Sequence, residues 1–231
     1  MTRITAPGMV LLLAAMTALG PLATSMYLPA FPAMTRAFGV GADQIQLTLS
    51  VYMGGLALAQ LISGPLADRF GRKPLLLAGM ALFAMGSLGC MLADTIGMLL
   101  AYRFLQAFGA AAGMVLSQAV VRDTFAPGDA ARMLAYMGST AALAPAVAPV
   151  VGGALLVRYG WPAIFFVLMV YAALMVVVVG VTLSESLPRE RRQPLHPHAV
   201  LGNYRTVIGN RTFLGHALAV SLMFAGHYGF M

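Results

Sequence analysis

Asp68, Arg69, Arg72 and Lys73 fall within the ten-residue stretch Gly64-Pro65-Leu66-Ala67-Asp68-Arg69-Phe70-Gly71-Arg72-Lys73. Only 9% of the 231 residues are charged, so four charges here make a dense block. Its chemistry is ion pairing. Asp68 can accept from exposed backbone N–H groups at a helix end or pair with an arginine. Gly64 and Gly71 permit close approach and positive φ, which predicts a short, sharply turned loop between two helices. Pro74 suits the first residue of the helix that follows. A second candidate is Arg103, inside an apolar run, with Gln106 three residues on and on the same helical face. A charge within a membrane span costs about 2.5–3.5 kcal/mol, so it faces a polar cavity, finds a partner or snorkels to the nearer interface. A third is Gly138-Ser139-Thr140-Ala141-Ala142-Leu143-Ala144-Pro145-Ala146-Val147-Ala148-Pro149-Val150-Val151-Gly152-Gly153. Pro145 and Pro149 each remove a backbone donor and bend a helix. The small residues around them offer a flat surface for close helix packing.

Catalytic or metal-binding groups do not converge in the sequence, so neither an enzyme nor a cofactor is expected. Cys90 is the single cysteine and excludes an internal disulfide. His196 and His198 flank Pro197, too few ligands for a metal site. His216 and His227, eleven apart, share a helical face and either line a cavity or pack. All seven carboxylates (Asp43, Asp68, Asp94, Asp123, Asp129, Glu185 and Glu190) stand at the ends of apolar runs or between them. A proton carrier must titrate and see the cavity, and no carboxylate lies deep in a run.

The elements that carry these groups follow from composition. The chain is 60% hydrophobic with a mean hydropathy of +0.85. A soluble domain carries about 25% charged residues, so the natural solvent of this surface is lipid. Six apolar runs of spanning length occur at roughly 8–30, 46–66, 74–93, 97–121, 133–156 and 161–183, all read as helices. A seventh begins near 212 and is still apolar at Met231. The fold class expected is all-α: a polytopic membrane protein with a six-helix bundle over 1–183. A proline- and arginine-rich linker occupies 184–211, and the start of a further helix 212–231. The unfinished last run predicts the first part of a longer protein. Tyr27, Tyr52, Tyr102, Tyr159 and Trp161 fall near run ends, as an interfacial aromatic belt would.

The net charge of +7 does not indicate nucleic acid, because the basic residues are spread among the joins. Their distribution instead sets orientation. Arg3, Arg69, Arg72, Lys73, Arg122, Arg132, Arg189, Arg191, Arg192, Arg205 and Arg211 alternate onto one side, against Arg36 and Arg158 on the other. The positive-inside bias therefore predicts a cytoplasmic N-terminus, with the 64–73 block, the 122–132 join and the linker on that side. There Arg69, Arg72 and Lys73 can reach acidic lipids.

The 64–73 block resembles the loop 2–3 signature of the major facilitator superfamily, Gly-x-Leu-Ala-Asp-Arg-x-Gly-Arg-Lys, and lies between the second and third runs as that family requires. Arg103-x-x-Gln106-x-x-Gly109 is similar to the family's fourth-span motif, which implies a link to proton coupling for Arg103. Ala148-Pro149-x-x-Gly152-Gly153 resembles the antiporter motif of the fifth span. Gly-Pro is usual there, and Ala144 before Pro145 is a small departure. Thr24-Ser25-Met26-Tyr27-Leu28-Pro29-Ala30-Phe31-Pro32, Val121-Arg122-Asp123 and Ser184-Glu185-Ser186-Leu187 look like the bicyclomycin- and chloramphenicol-resistance (Bcr/CflA) branch. Ser25 stands where that branch carries aspartate, and serine cannot carry a proton.

The resemblance implies the N-terminal half of a drug exporter in the bacterial inner membrane, working by proton antiport. Substrate would bind between two bundles that rock against each other. It implies a cytoplasmic latch of Gly64, Asp68, Arg69, Gly71, Arg72, Lys73 and Asp123, and a cavity set of Ser25, Tyr27, Arg103 and Gln106. The partners implied are a small-molecule substrate, protons, the bilayer and a second bundle. A metabolite exporter, a symporter and a non-transporting half are the competing expectations.

Overall fold

The computed structural model describes residues 6–192 and 197–230; Arg3 and His196 lie outside them, as do the side chains of His198 and His227. The described residues contain helices and no strand. The first unit holds α1 (Ala6–Ser25), a short 3-10 turn (Leu28–Ala30), α2 (Phe31–Phe38), α3 (Ala42–Phe70) and α4 (Arg72–Met91). It continues with α5 (Ile96–Thr124), α6 (Pro127–Tyr159) and α7 (Pro162–Thr182). A second unit, described by itself, contains α8 (Pro197–Gly209) and α9 (Arg211–Phe230).

Among the described residues six stretches are long and apolar enough to cross a membrane: Pro7–Phe38, which combines α1 and α2, and then α3 to α7. Local signals place several starts. The Thr95 side chain accepts from Met98 N–H at 3.2 Å and caps α5. Pro127 and Pro162 open α6 and α7, where a missing N–H removes no helical bond.

Two expected boundaries need correction. The 64–73 block is not a loop, because α3 runs on through Phe70 and α4 begins at Arg72. Gly64 is helical with open space at its Cβ position, so it makes no turn. The whole reversal falls on Gly71, at φ 102° and ψ 158°. Pro74 is the third residue of α4 rather than the first, still within the turn whose N–H groups lack helical partners. The stretch 184–211 also holds a 3-10 turn (Arg189–Arg191) and α8, with Pro197 as the helix opener.

Within the first unit α5 is the central helix, packing on α1, α3 and α4, while α4 also packs on α7 and α1 on α6. The most apolar window of α5 is 61% buried and that of span one 78%. That of α6 is only 17% buried, so α6 presents most of its surface outward. The α4–α5 contact is close. A Cβ at Gly86 would stand 2.7 Å from Gln106 N and 2.8 Å from its Cα, so only glycine lets the two backbones meet at this level.

Candidate functional site

Two polar constellations occur, one inside the bundle and one at the end that bears Gly71. The interior one is built on Arg103, the eighth residue of α5, and none of its surface is exposed. It does not snorkel to an interface. Its Nη1 donates to Gln106 Oε1 at 2.7 Å and to Ala23 O at 3.2 Å. Gln106 Nε2 donates to Ser87 Oγ at 2.7 Å, and Ser87 Oγ donates to Phe83 O at 2.8 Å. The close approach at Gly86 allows this bridge from α5 to α4.

Among the described residues the charge of Arg103 meets no carboxylate. Its guanidinium carbon lies 4.2 Å from the Tyr52 ring centroid, 4.5 Å from that of Tyr27 and 5.9 Å from that of Phe165. Desolvated cation–π contacts contribute up to about 2 kcal/mol each, comparable with the cost of placing the charge. Ala23 O is one of the last four carbonyls of α1, a helix end that favours a cation. The Tyr27 hydroxyl bonds in turn to Thr48 Oγ1, which ties the break in span one to α3. Ser25 is buried at that break. The structure therefore gathers Tyr27, Arg103 and Gln106 into one contact network, with Ser25 two residues from Ala23.

Tyr27 and Tyr52 are fully buried beside Arg103 and form no part of an interfacial belt. Spacing did not show this, because both lie near run ends where an interfacial tyrosine also belongs. Ser87 also went unread: a serine in an apolar run more often bonds back to its own helix.

The second constellation centres on Arg72, the first residue of α4. Its Nη1 is 2.7 Å from Asp68 Oδ1, four residues back across the turn. Its Nε donates to Asp123 Oδ2 at 3.1 Å, in the last turn of α5. One guanidinium thus holds the ends of α3, α4 and α5 together. Lys73 Nζ donates to Gly180 O at 2.8 Å, one of the last four carbonyls of α7. Arg69 is exposed and lies over Phe70 at 5.4 Å, outside the ion-pair set. Glu185, beyond α7, accepts from Arg72 N–H at 2.9 Å. The sequence set Glu185 in a branch motif but gave it no partner, since a helix cap from 113 residues away leaves no local pattern.

The third candidate stretch lies within α6, which continues through Pro145 and Pro149. Ala144, Ala148 and Gly152, four apart, form its buried stripe. A Cβ at Gly152 would stand 2.1 Å from Met26 O, whereas one at Gly153 would meet nothing within 4 Å. Gly152 therefore seats the break of span one, and Gly153 does not take part in that contact. Among the described residues no group of three or more His, Cys, Asp or Glu forms a metal site.

These features agree with comparisons against known proteins. The family model described as Major Facilitator Superfamily matches residues 13–231. An uncharacterized MFS-type transporter of Bacillus subtilis is 39% identical over 222 residues, 95% of this chain and 55% of that protein. A bicyclomycin resistance protein homolog of Haemophilus influenzae is 33% identical over 96% of this chain and 56% of that protein. A chloramphenicol resistance protein of Pseudomonas aeruginosa is 41% identical over 157 residues, 68% of this chain and 38% of that protein. The fold resembles that of a peptide transporter crystal structure at a TM-score of 0.71 and 18% identity, over 97% of this chain and 47% of the other. The chain spans about half the length of the first two curated relatives. With six membrane-length helices, an Arg72 junction in the loop 2–3 signature and a family match over nearly its whole length, the chain belongs to the major facilitator superfamily.

Proposed function

We propose that this chain is the N-terminal bundle of a multidrug exporter that expels drug-like, amphipathic small molecules from a bacterial cell by proton antiport. The observation that carries the reading is Arg72 bridging Asp68 and Asp123. Three helix ends are held by a largely buried Arg72 on two carboxylates that stay 46% and 25% exposed, so water can take up the released acids, which suits a latch. Relatives named for bicyclomycin and chloramphenicol resistance support the substrate class. The lining available is mostly Met, Leu, Ala and Phe, which suits apolar compounds. A second bundle in the same chain would complete the substrate cavity, and rocking of one bundle against the other would give alternating access. The bias of basic residues supports a cytoplasmic side of the inner membrane for the N-terminus and the Arg72 junction.

In the working cycle Asp68, Gly71, Arg72, Lys73 and Asp123 form the latch, with Gly64 and Arg69 of the same stretch beside it. Ser25, Tyr27, Arg103 and Gln106 transmit its state to the substrate region. Pro145, Pro149, Gly152 and Gly153 fit the antiporter role. The proton-carrying carboxylate lies in the second bundle or at a span edge, because none of the seven here is interior. The test expresses the complete gene in a pump-deleted host. Asp68→Asn is expected to abolish resistance to chloramphenicol and bicyclomycin while inserting normally. Unchanged drug efflux by this variant overturns the latch. Proton movement stimulated by sugars or amino acids, and not by drugs, overturns drug antiport in favour of a symporter or metabolite exporter.

A further inference from the structure

We propose that Glu185 is a positioning residue of the Arg72 junction, and that it turns residues 183–192 into a strap across Gly71. The inference rests on the latch reading above and adds a member to it from the segment that leaves the bundle.

The geometry begins with an uncapped helix. Arg72 is the first residue of α4, and the residue before it is Gly71, which has no side chain to offer. The first N–H groups of a helix need acceptors, and a carboxylate is favoured there. Glu185 supplies one from beyond α7. Its Oε1 accepts from Arg72 N–H at 2.9 Å and from Leu187 N–H at 3.0 Å. A Cβ on Gly71 would stand 2.3 Å from Glu185 Oε2 and 2.7 Å from Arg192 Nη2. The carboxylate and the guanidinium thus occupy the space that glycine leaves free. Gly71 is required twice, by its φ of 102° and by this approach.

Three carboxylates from three parts of the chain therefore converge on one arginine. Asp68 and Asp123 hold the Arg72 side chain, and Glu185 holds its backbone. The strap is closed at both ends. Leu183 and Leu187 are buried, and Arg192 Nη2 returns to within 3.5 Å of Glu185 Oε2. Ser186 Oγ also donates to Asp123 Oδ2 at 3.4 Å. Any shift of the Arg72 backbone loads Glu185 and through it the strap. When release of Asp123 is accompanied by a shift of the Arg72 backbone, the start of the segment after α7 moves with it. This couples the junction to the chain that leads out of the bundle.

The test uses protein from the complete gene in a Cys90→Ala background. Spin labels at Arg122→Cys and Pro188→Cys, both exposed positions, report the distance from α5 to the strap. A single narrow distance is expected with Glu185 present. Glu185→Ala is expected to broaden it, and Glu185→Gln, whose amide oxygen can still cap α4, to preserve most of it. An unchanged narrow distance in Glu185→Ala overturns the strap, whether or not the protein transports. In efflux assays Glu185→Ala is expected to lower the maximal rate about fivefold with KM unchanged, the loss of about one helix cap. Combined with Asp123→Asn, it should be no worse than Asp123→Asn alone, because both act through Arg72. Multiplying losses would mean independent roles and overturn the positioning argument. A wild-type protein that exports no drug overturns the transport reading, while the spin-label distances still decide the strap.

Discussion

Replacing Gly71 by alanine is the smallest change that tests the Arg72 junction. The φ of 102° and ψ of 158° lie in a region that is almost exclusively glycine, at a cost of about 1–3 kcal/mol for another residue. The new methyl would also displace Glu185 Oε2 from 2.3 Å and Arg192 Nη2 from 2.7 Å. Both atoms end flexible, partly exposed side chains, so they move aside. The loss is then the α4 cap, about 1 kcal/mol. Together Gly71→Ala is expected to cost about 2–4 kcal/mol, a fall of roughly 4–16 °C in melting temperature for a unit of this size. Thermal unfolding in detergent reads this directly, and drug efflux from the complete gene reads the consequence. Glu185→Ala should take part of the same loss, so Gly71→Ala with Glu185→Ala should cost less than the two separately. Additive losses would show that the methyl and the carboxylate do not compete for one space. A melting temperature within about one degree of wild type would refute the reasoning for Gly71 altogether.

Arg103→Ala leaves Gln106 Oε1 and Ala23 O without their donor inside the bundle, at about 1–3 kcal/mol each. A fall in thermal stability is expected, and Arg103→Lys should recover only part of it because an ammonium lacks the planar fork. Gly152→Ala is expected to destabilise by about 1–3 kcal/mol, since its methyl meets the Met26 backbone at 2.1 Å, while Gly153→Ala is neutral. Equal effects of the two substitutions on melting temperature would contradict the seating of span one on α6. Arg103 also carries an interior charge with no interior acid, and at about 10 Å and an effective dielectric of about 20 it disfavours a cationic substrate by about 1.7 kcal/mol. Resistance from the complete gene should therefore favour uncharged drugs over cationic dyes, and Ser25→Asp should narrow the gap; equal resistance to both in wild type would refute this.

Much of the bundle was legible because lipid imposes a strong and simple rule. Each span needs about 20 apolar residues, and all six runs are helices. The ends were less legible. The polar block after Gly64 looks like a loop in composition, yet Leu66, Ala67, Asp68, Arg69 and Phe70 all tolerate a helix, and α3 keeps them. An arginine partner for Asp68 was readable from local spacing and Asp123 from its motif; that Arg72 meets both is what the structure adds. The partners of Arg103 were not. Tyr52 and Phe165 come from α3 and α7, and nothing in their own neighbourhoods marks them as ring faces for a distant cation. Glu185 was hidden for the same reason: its target is a backbone N–H, which every residue but proline offers.

These long-range contacts share one physical cause. A helix ends with unpaired carbonyls and begins with unpaired N–H groups, and these need partners, most of all where the site is buried away from water as at Arg103. In this chain, charged side chains from elsewhere in the fold meet that need. Arg103 reaches the last turn of α1, Lys73 the last turn of α7 and Glu185 the first N–H of α4. Each has the sign that the helix end favours, cations at carbonyls and the anion at the N–H. Lys73 and Glu185 make the exchange reciprocal, since α4 caps α7 and the segment after α7 caps α4. Charges placed this way hold neighbouring helices by their ends, in addition to the close packing of their apolar faces. The rocking proposed above would need its fixed points where helices end. On this argument, removing Lys73 and Glu185 together should loosen α4 against α7 without exposing the apolar core. Faster hydrogen exchange confined to the adjoining turns of those two helices is the expected signature, and exchange rising throughout α5 would refute it.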